Sequence, residues 1–240
     1  GKVITGYKTS EKIKDKDFKL FVQWLYLMKS SNNATFSTYE TFIRNNSDFP
    51  RIGRLQYLAE QKIYLKNSSP KNIIRWFEEF PPVSGTGKLK LGEAYFDLKD
   101  INNSKKLVKE GWINADLSKS QLRFYRKKFK SILDSEDHIK RADYLAWNRK
   151  YWDLKRMLVY LPSDFKALYN ARQILMSNSY GVDNAISKVP DRFKKDIGLE
   201  YDRLKWRNRR GRLESSLQIL YDNSNRSEEE LVRADLWWKQ

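Results

Sequence analysis

A few stretches of the chain carry residue types that could do chemistry. Gly85-Thr86-Gly87-Lys88 invites comparison with a phosphate-cradling loop. That motif needs a glycine five positions before Gly87, where Pro82 stands, and Ser or Thr after the lysine, where Leu89 stands. No strand pattern precedes it, so the stretch reads as a hairpin connection. His138 follows Glu136-Asp137, but no G-x-S-x-G elbow occurs for a hydrolytic triad. It reads as a helix-start or packing residue. Glu214-Ser215 sits between Leu213 and Leu217 at helical spacing, as surface structure would. Glu228-Glu229-Glu230 follows Ser227, which is a helix-start signal before it is an acid/base set. The densest cationic run, Lys205-Trp206-Arg207-Asn208-Arg209-Arg210, joins positive charge to an indole.

Composition narrows the chemistry further. The 240 residues contain no cysteine, which excludes disulfides, thiolate metal sites and cysteine nucleophiles. One histidine excludes a multi-histidine metal centre. No catalytic residue, metal or cofactor is expected. The 47 Lys+Arg exceed the 30 Asp+Glu by a net +17, a balance suited to nucleic acid, an anionic surface or an acidic polymer. Basic and acidic residues alternate, however, as on solvated helix faces. No run reaches the roughly 18 apolar residues of a membrane span. The chain opens on Gly1 and not Met, which is read as the mark of a removed leader.

These residues must be positioned by helices. Only 10 Gly and 6 Pro punctuate the chain, and no segment shows strand alternation. Residues 1–16 read as a flexible lead-in. Phe18, Phe21, Val22, Leu25 and Met28 then mark a helical face, and Ser30 to Asn33 break it. Thr35 is suited to cap the next helix, and Pro70 to occupy a first turn. Pro81-Pro82 stops the helix bearing Trp76-Phe77. A short helix is expected over Ser104 to Trp112. Asp116 to Ser118 is suited to cap the helix that follows, and Ser163 a later one. Leu213, Leu217, Leu220 and Tyr221 form a further face. Punctuation near 31, 67, 101 and 134 recurs at about 34 residues, a helix–turn–helix repeat length. The expected fold is all-α: an α-superhelix or solenoid of stacked antiparallel hairpins over 17–240, with a compact irregular bundle as the alternative.

The order of landmarks resembles the N-terminal superhelical (U/L-type) region of soluble lytic murein transglycosylases, alphaproteobacterial type. Ala34-Thr35-Phe36, Phe42, Asn46 and Asp48-Phe49-Pro50 are similar to its "ASF…F…NPDWP" stretch. Ser47 replaces the family's proline and Phe49 its tryptophan. Trp76-Phe77, Pro81-Pro82, Gly85-Thr86-Gly87 and Leu91-Gly92-Glu93-Ala94 resemble "WF…PP.TG.G…LAEA". Glu136-Asp137-His138 with Arg141-Ala142-Asp143 resembles "EDH..RAD". Leu158 to Pro162, Ala171-Arg172, Gly198 to Arg203 and Trp206-Arg207 follow in family order.

The resemblance implies a periplasmic scaffold that guides peptidoglycan glycan strands toward a C-terminal lysozyme-like domain. There a single glutamate cleaves the MurNAc–GlcNAc bond to a 1,6-anhydro product. The Glu-Ser…Gly-Leu-Met-Gln signature of that domain is not in this chain, so the chain alone is expected to be inactive. Arg203, Trp206 and Arg207 are the candidate groove residues, although Trp206 also fits a packing role. Two other readings compete: a helical-repeat adaptor for protein partners, and, less favoured, a nucleic-acid binder using Lys205 to Arg210.

Overall fold

The structure, a computed structural model, describes residues 5–7, 9, 12, 14–65, 68–177 and 180–240. Half of the expected lead-in (residues 1–4, 8, 10, 11 and 13) lies outside them. Among the described residues every regular element is helical and there is no strand. The protein is all-α. The chain divides into two compact units, residues 1–132 and 133–240.

The first unit holds α1 (Lys16–Leu27), α2 (Phe36–Asn45), α3 (Ile52–Lys62), α4 (Pro70–Glu79), α5 (Gly85–Asp97), α6 (Ile101–Asn114) and α7 (Lys119–Lys128). Side-chain caps start most of them. Thr35 accepts from the Thr38 N–H, and Ser69 accepts from the Asn72 N–H with Pro70 in the first turn. Ser118 and Gln121 form a reciprocal capping box. Asp100 caps α6, so Ile101 to Asn103 belong to the helix expected to begin at Ser104. Helix α2 packs on α3, α4 on α5 and, most closely, α5 on α6. A Cβ on Gly111 would lie 2.7 Å from the Gly85 carbonyl oxygen, so only glycine permits this approach.

The core of this unit gathers Leu27, Tyr39, Phe42, Leu55, Ile73 and Trp76. Each such side chain contributes about 1.5–3 kcal/mol by leaving water. Helix α1 is rotated from the expected face. Leu20, Trp24 and Leu27 turn inward, while Phe18, Phe21 and Leu25 are exposed. Two polar bonds select this face. The Trp24 indole N–H donates to the Pro50 carbonyl at 2.9 Å. Buried Asn32, in the break after α1, donates to the Tyr39 hydroxyl at 2.6 Å, which donates to the Leu27 carbonyl at 2.7 Å.

The second unit holds α8 (Ser135–Trp147), α9 (Tyr151–Met157), a 3-10 turn at Leu158–Tyr160, α10 (Ser163–Leu175) and α11 (Val182–Ser187). After a second 3-10 turn (Asp191–Phe193) come α12 (Ile197–Arg209), α13 (Leu213–Asp222), α14 (Glu228–Leu231) and α15 (Ala234–Trp237). Asp134 and Asp137 form a capping box on α8, as Ser227 and Glu230 do on α14. Ser163 is not a cap. Pro162 takes the cap position, and the Ser163 hydroxyl turns to Asp164 at 3.3 Å.

Helix α10 packs on α8, α11 and α12. Its buried Arg172 holds α8 and α12 together, donating to Asp143 at 2.9 Å and Asp202 at 2.8 Å. The guanidinium also lies 5.0 Å from the Trp147 ring centre. On α13 the buried residues are Ser216, Ile219 and, just past its end, Asn223. Leu213, Leu217 and Tyr221, expected on its packed face, form an exposed stripe. Asn223 anchors the helix the other way, donating to Glu200 of α12 at 2.8 Å.

Candidate functional site: a cationic pocket in the second unit

The three candidate groove residues share one face of α12, because positions 203, 206 and 207 are spaced i, i+3, i+4. They line one cavity of about 410 Å³. Other elements complete it: Leu175 at the end of α10, Asp183 and Ile186 on α11, Lys194, and Arg212 beyond α12. Sequence spacing along α12 could not reveal Arg212. It arrives through a Schellman turn in which the Gly211 N–H donates to the Asn208 carbonyl and the Arg212 N–H to the Arg207 carbonyl. Gly211 adopts φ +67°, a conformation that favours glycine.

Two sets of bonds hold α12 in place. The Arg172–Asp202 pair anchors its middle. Arg209 clasps the end of α10, donating to the Met176 carbonyl at 3.0 Å and also to the Leu175 carbonyl. The cationic run is therefore divided. Arg209 secures the helix, Arg210 and Arg212 lie 5.7 and 4.9 Å from the Trp206 ring centre, and Arg203 and Arg207 face the pocket.

The electrostatics of the pocket are one-sided. Asp183 is the only carboxylate among the lining residues, against Lys194, Arg203, Arg207 and Arg212. Lys194 is paired with Asp191 at 2.7 Å. Arg207 donates to the Ser215 carbonyl at 2.7 Å, a neutral acceptor. Burial lowers its pKa, and the charges of Arg203 and Arg212 lower it further. Guanidinium groups stay charged through such shifts, so the cluster keeps an unmet demand for an anion. The Trp206 indole nitrogen is buried and meets no acceptor among the described residues. The arrangement can bind carboxylates or phosphates beside a flat ring. The hydroxyl in its lining, Ser187, donates to the Asn184 carbonyl at 2.9 Å.

The remaining sequence candidates fall elsewhere. The Gly85–Gly87 turn is already filled from within: the buried carboxyl of Glu60 on α3 accepts from the Val83 N–H at 2.7 Å and from the Ser84 hydroxyl. His138 lies in the first turn of α8, with its ring 6.2 Å from that of Tyr160. Glu214 is exposed in the first turn of α13, and Glu228 to Glu230 form the first turn of α14. Among the described residues no His, Asp and Glu cluster could hold a metal ion, and no helix is long and apolar enough to cross a membrane.

No family model, no curated protein and no solved structure matches the chain.

Proposed function

We propose that the chain is a helical scaffold region of the lytic-transglycosylase kind that guides peptidoglycan strands in the bacterial periplasm. The observation that carries this reading is the convergence of Arg203, Arg207 and Arg212 beside Trp206, with Asp183 as the single opposing carboxylate. Peptidoglycan offers the complementary chemistry: lactyl and peptide carboxylates for the guanidinium groups, and sugar faces for an indole. The collinear sequence landmarks support the same assignment. Catalysis belongs to a separate lysozyme-like domain, so the chain alone releases no anhydro-muropeptides.

Retention on purified sacculi tests the reading. The chain is expected to be retained above a charge-matched helical control, and Arg203→Glu to lose most of that retention. Equal retention of the control, or of Arg203→Glu, overturns it. Arg203 suits this test because it lines the pocket and its side chain makes no ion pair or hydrogen bond among the described residues.

The exposed Leu213, Leu217 and Tyr221 stripe supports a second reading, an adaptor for a protein partner. Leu217→Glu would then abolish capture of one stoichiometric partner and leave sacculus retention unchanged.

A further inference from the structure

The first unit contains a second cavity, of about 510 Å³, between α3, α5 and α7. Its walls include Ile63, Tyr64, Phe124 and Tyr125, so most of its lining is apolar. Lys90 of α5 also lines it. Lys90 is only 6% exposed, yet its ammonium group makes no hydrogen bond or ion pair among the described residues. The Tyr125 ring centre lies 5.3 Å from its Nζ.

The carboxylate that could pair with Lys90 is already engaged. Glu93 accepts from the Tyr125 hydroxyl at 2.9 Å and from Lys128 at 2.9 Å, and Lys128 also holds Asp97. Lys62, the other cation in the lining, donates to the Asn32 carbonyl at 2.9 Å. Gln61, also in the wall, has a buried amide nitrogen with no acceptor among the described residues. A buried charge without a partner is costly, and a cavity of this size suits a small molecule. The position therefore asks for an acceptor that the described residues do not supply.

We infer that this cavity binds a small monocarboxylate whose apolar or aromatic body rests on Phe124 and Tyr64 while its carboxylate meets Lys90. Lys90 is the ammonium group of this lining with no hydrogen-bond acceptor among the described residues, and one carboxylate supplies it. A phosphate dianion would carry excess charge toward Glu93, so it is the poorer fit. The inference is independent of the peptidoglycan reading, because none of these residues lines the cationic pocket of the second unit.

Titration of the whole chain with phenylacetate, indole-3-acetate and hexanoate, followed by ligand-observed NMR and calorimetry, tests it. At least one acid is expected to bind near or below about 1 mM, and phenylacetamide, phenethylamine and inorganic phosphate at least about tenfold more weakly. Lys90→Met, which keeps the length of the stem, is expected to weaken that acid by about tenfold, whereas Arg203→Glu leaves it unchanged. Phe124→Ala, at a half-exposed position, gives a second variant that folds, and it should weaken the aromatic acids several-fold. Absence of binding by all three acids, equal binding of the amide or of phosphate, or equal binding by Lys90→Met overturns the inference.

Discussion

Gly198, in the first turn of α12, lies directly against the guanidinium of Arg172 on α10. A Cβ at that position would overlap the guanidinium carbon and both of its terminal nitrogens. Arg172 is 1% exposed and cannot retreat, because Asp202 and Asp143 hold it from two helices. Burial alone would lower its pKa, but the charges of Asp202, Asp143 and Asp196 outweigh burial and raise it. Gly198→Ala is therefore expected to cost about 2–3 kcal/mol, as overpacking does. Hydrogen exchange should report the loss in α10 and α12. Full protection of both helices in the variant would refute the contact.

A parallel constraint operates in the first unit. A Cβ on Gly87 would overlap the carboxylate of Glu60. Glu60 accepts from the Val83 N–H at 2.7 Å and from the Ser84 hydroxyl, and Ser84 in turn caps the Gly87 N–H at 2.9 Å. Gly87→Ala should destabilise by about 1–3 kcal/mol. Glu60→Ala should cost a similar amount, because it leaves the Val83 N–H without its acceptor. The two losses should not add, since each disrupts the same contact. Chemical denaturation of both single variants and the double variant checks this.

Lys90 carries a stability signature of its own. Burial holds its pKa below the ordinary lysine value of 10.5, and Lys128 pushes the same way, while Glu93 only partly opposes them. A lysine with a depressed folded value binds fewer protons folded than unfolded between the two values, so stability rises with pH across that window. Its penalty is fully present below the folded value and fades toward pH 10.5. Lys90→Met should thus stabilise the chain at neutral pH, and the advantage should shrink in alkali. A pH series of denaturation midpoints for both proteins checks it; an advantage independent of pH would contradict the sign.

The backbone at Gly211 links fold to binding. Its φ of +67° shapes the turn that places Arg212 over Trp206. Gly211→Ala should cost about 1 kcal/mol in stability. It should also reduce sacculus retention, although no charge is removed. Unaltered retention would show that Arg212 adds nothing where the turn places it.

Local chemistry made much of the helical framework legible. Thr35, Pro70, Ser118 and Ser227 stand at the helix starts where their types say they should, because a helix start is decided by the three or four residues around it. Ser163 misled for the same reason: a serine at a helix start is read as a cap, but Pro162 had already taken that position. Faces were harder. Helix α1 carries two apolar stripes at helical spacing, and α13 exposes the more hydrophobic of its own. The choice fell to polar anchors from distant positions, Pro50 and Asn32 in one case and Glu200 in the other.

The sequence by itself determined the all-α class, most helix starts and the shared face of Arg203, Trp206 and Arg207, since each depends on spacing within one turn or two. Only the tertiary structure decided what those residues meet. Arg212 joins them through a left-handed turn, Glu60 occupies the glycine-rich connection from 27 positions before Gly87, and Lys90 forms no ion pair among the described residues while Tyr125 and Lys128 hold Glu93. Charge pairing and burial are settled by three-dimensional proximity, which spacing along the chain does not encode.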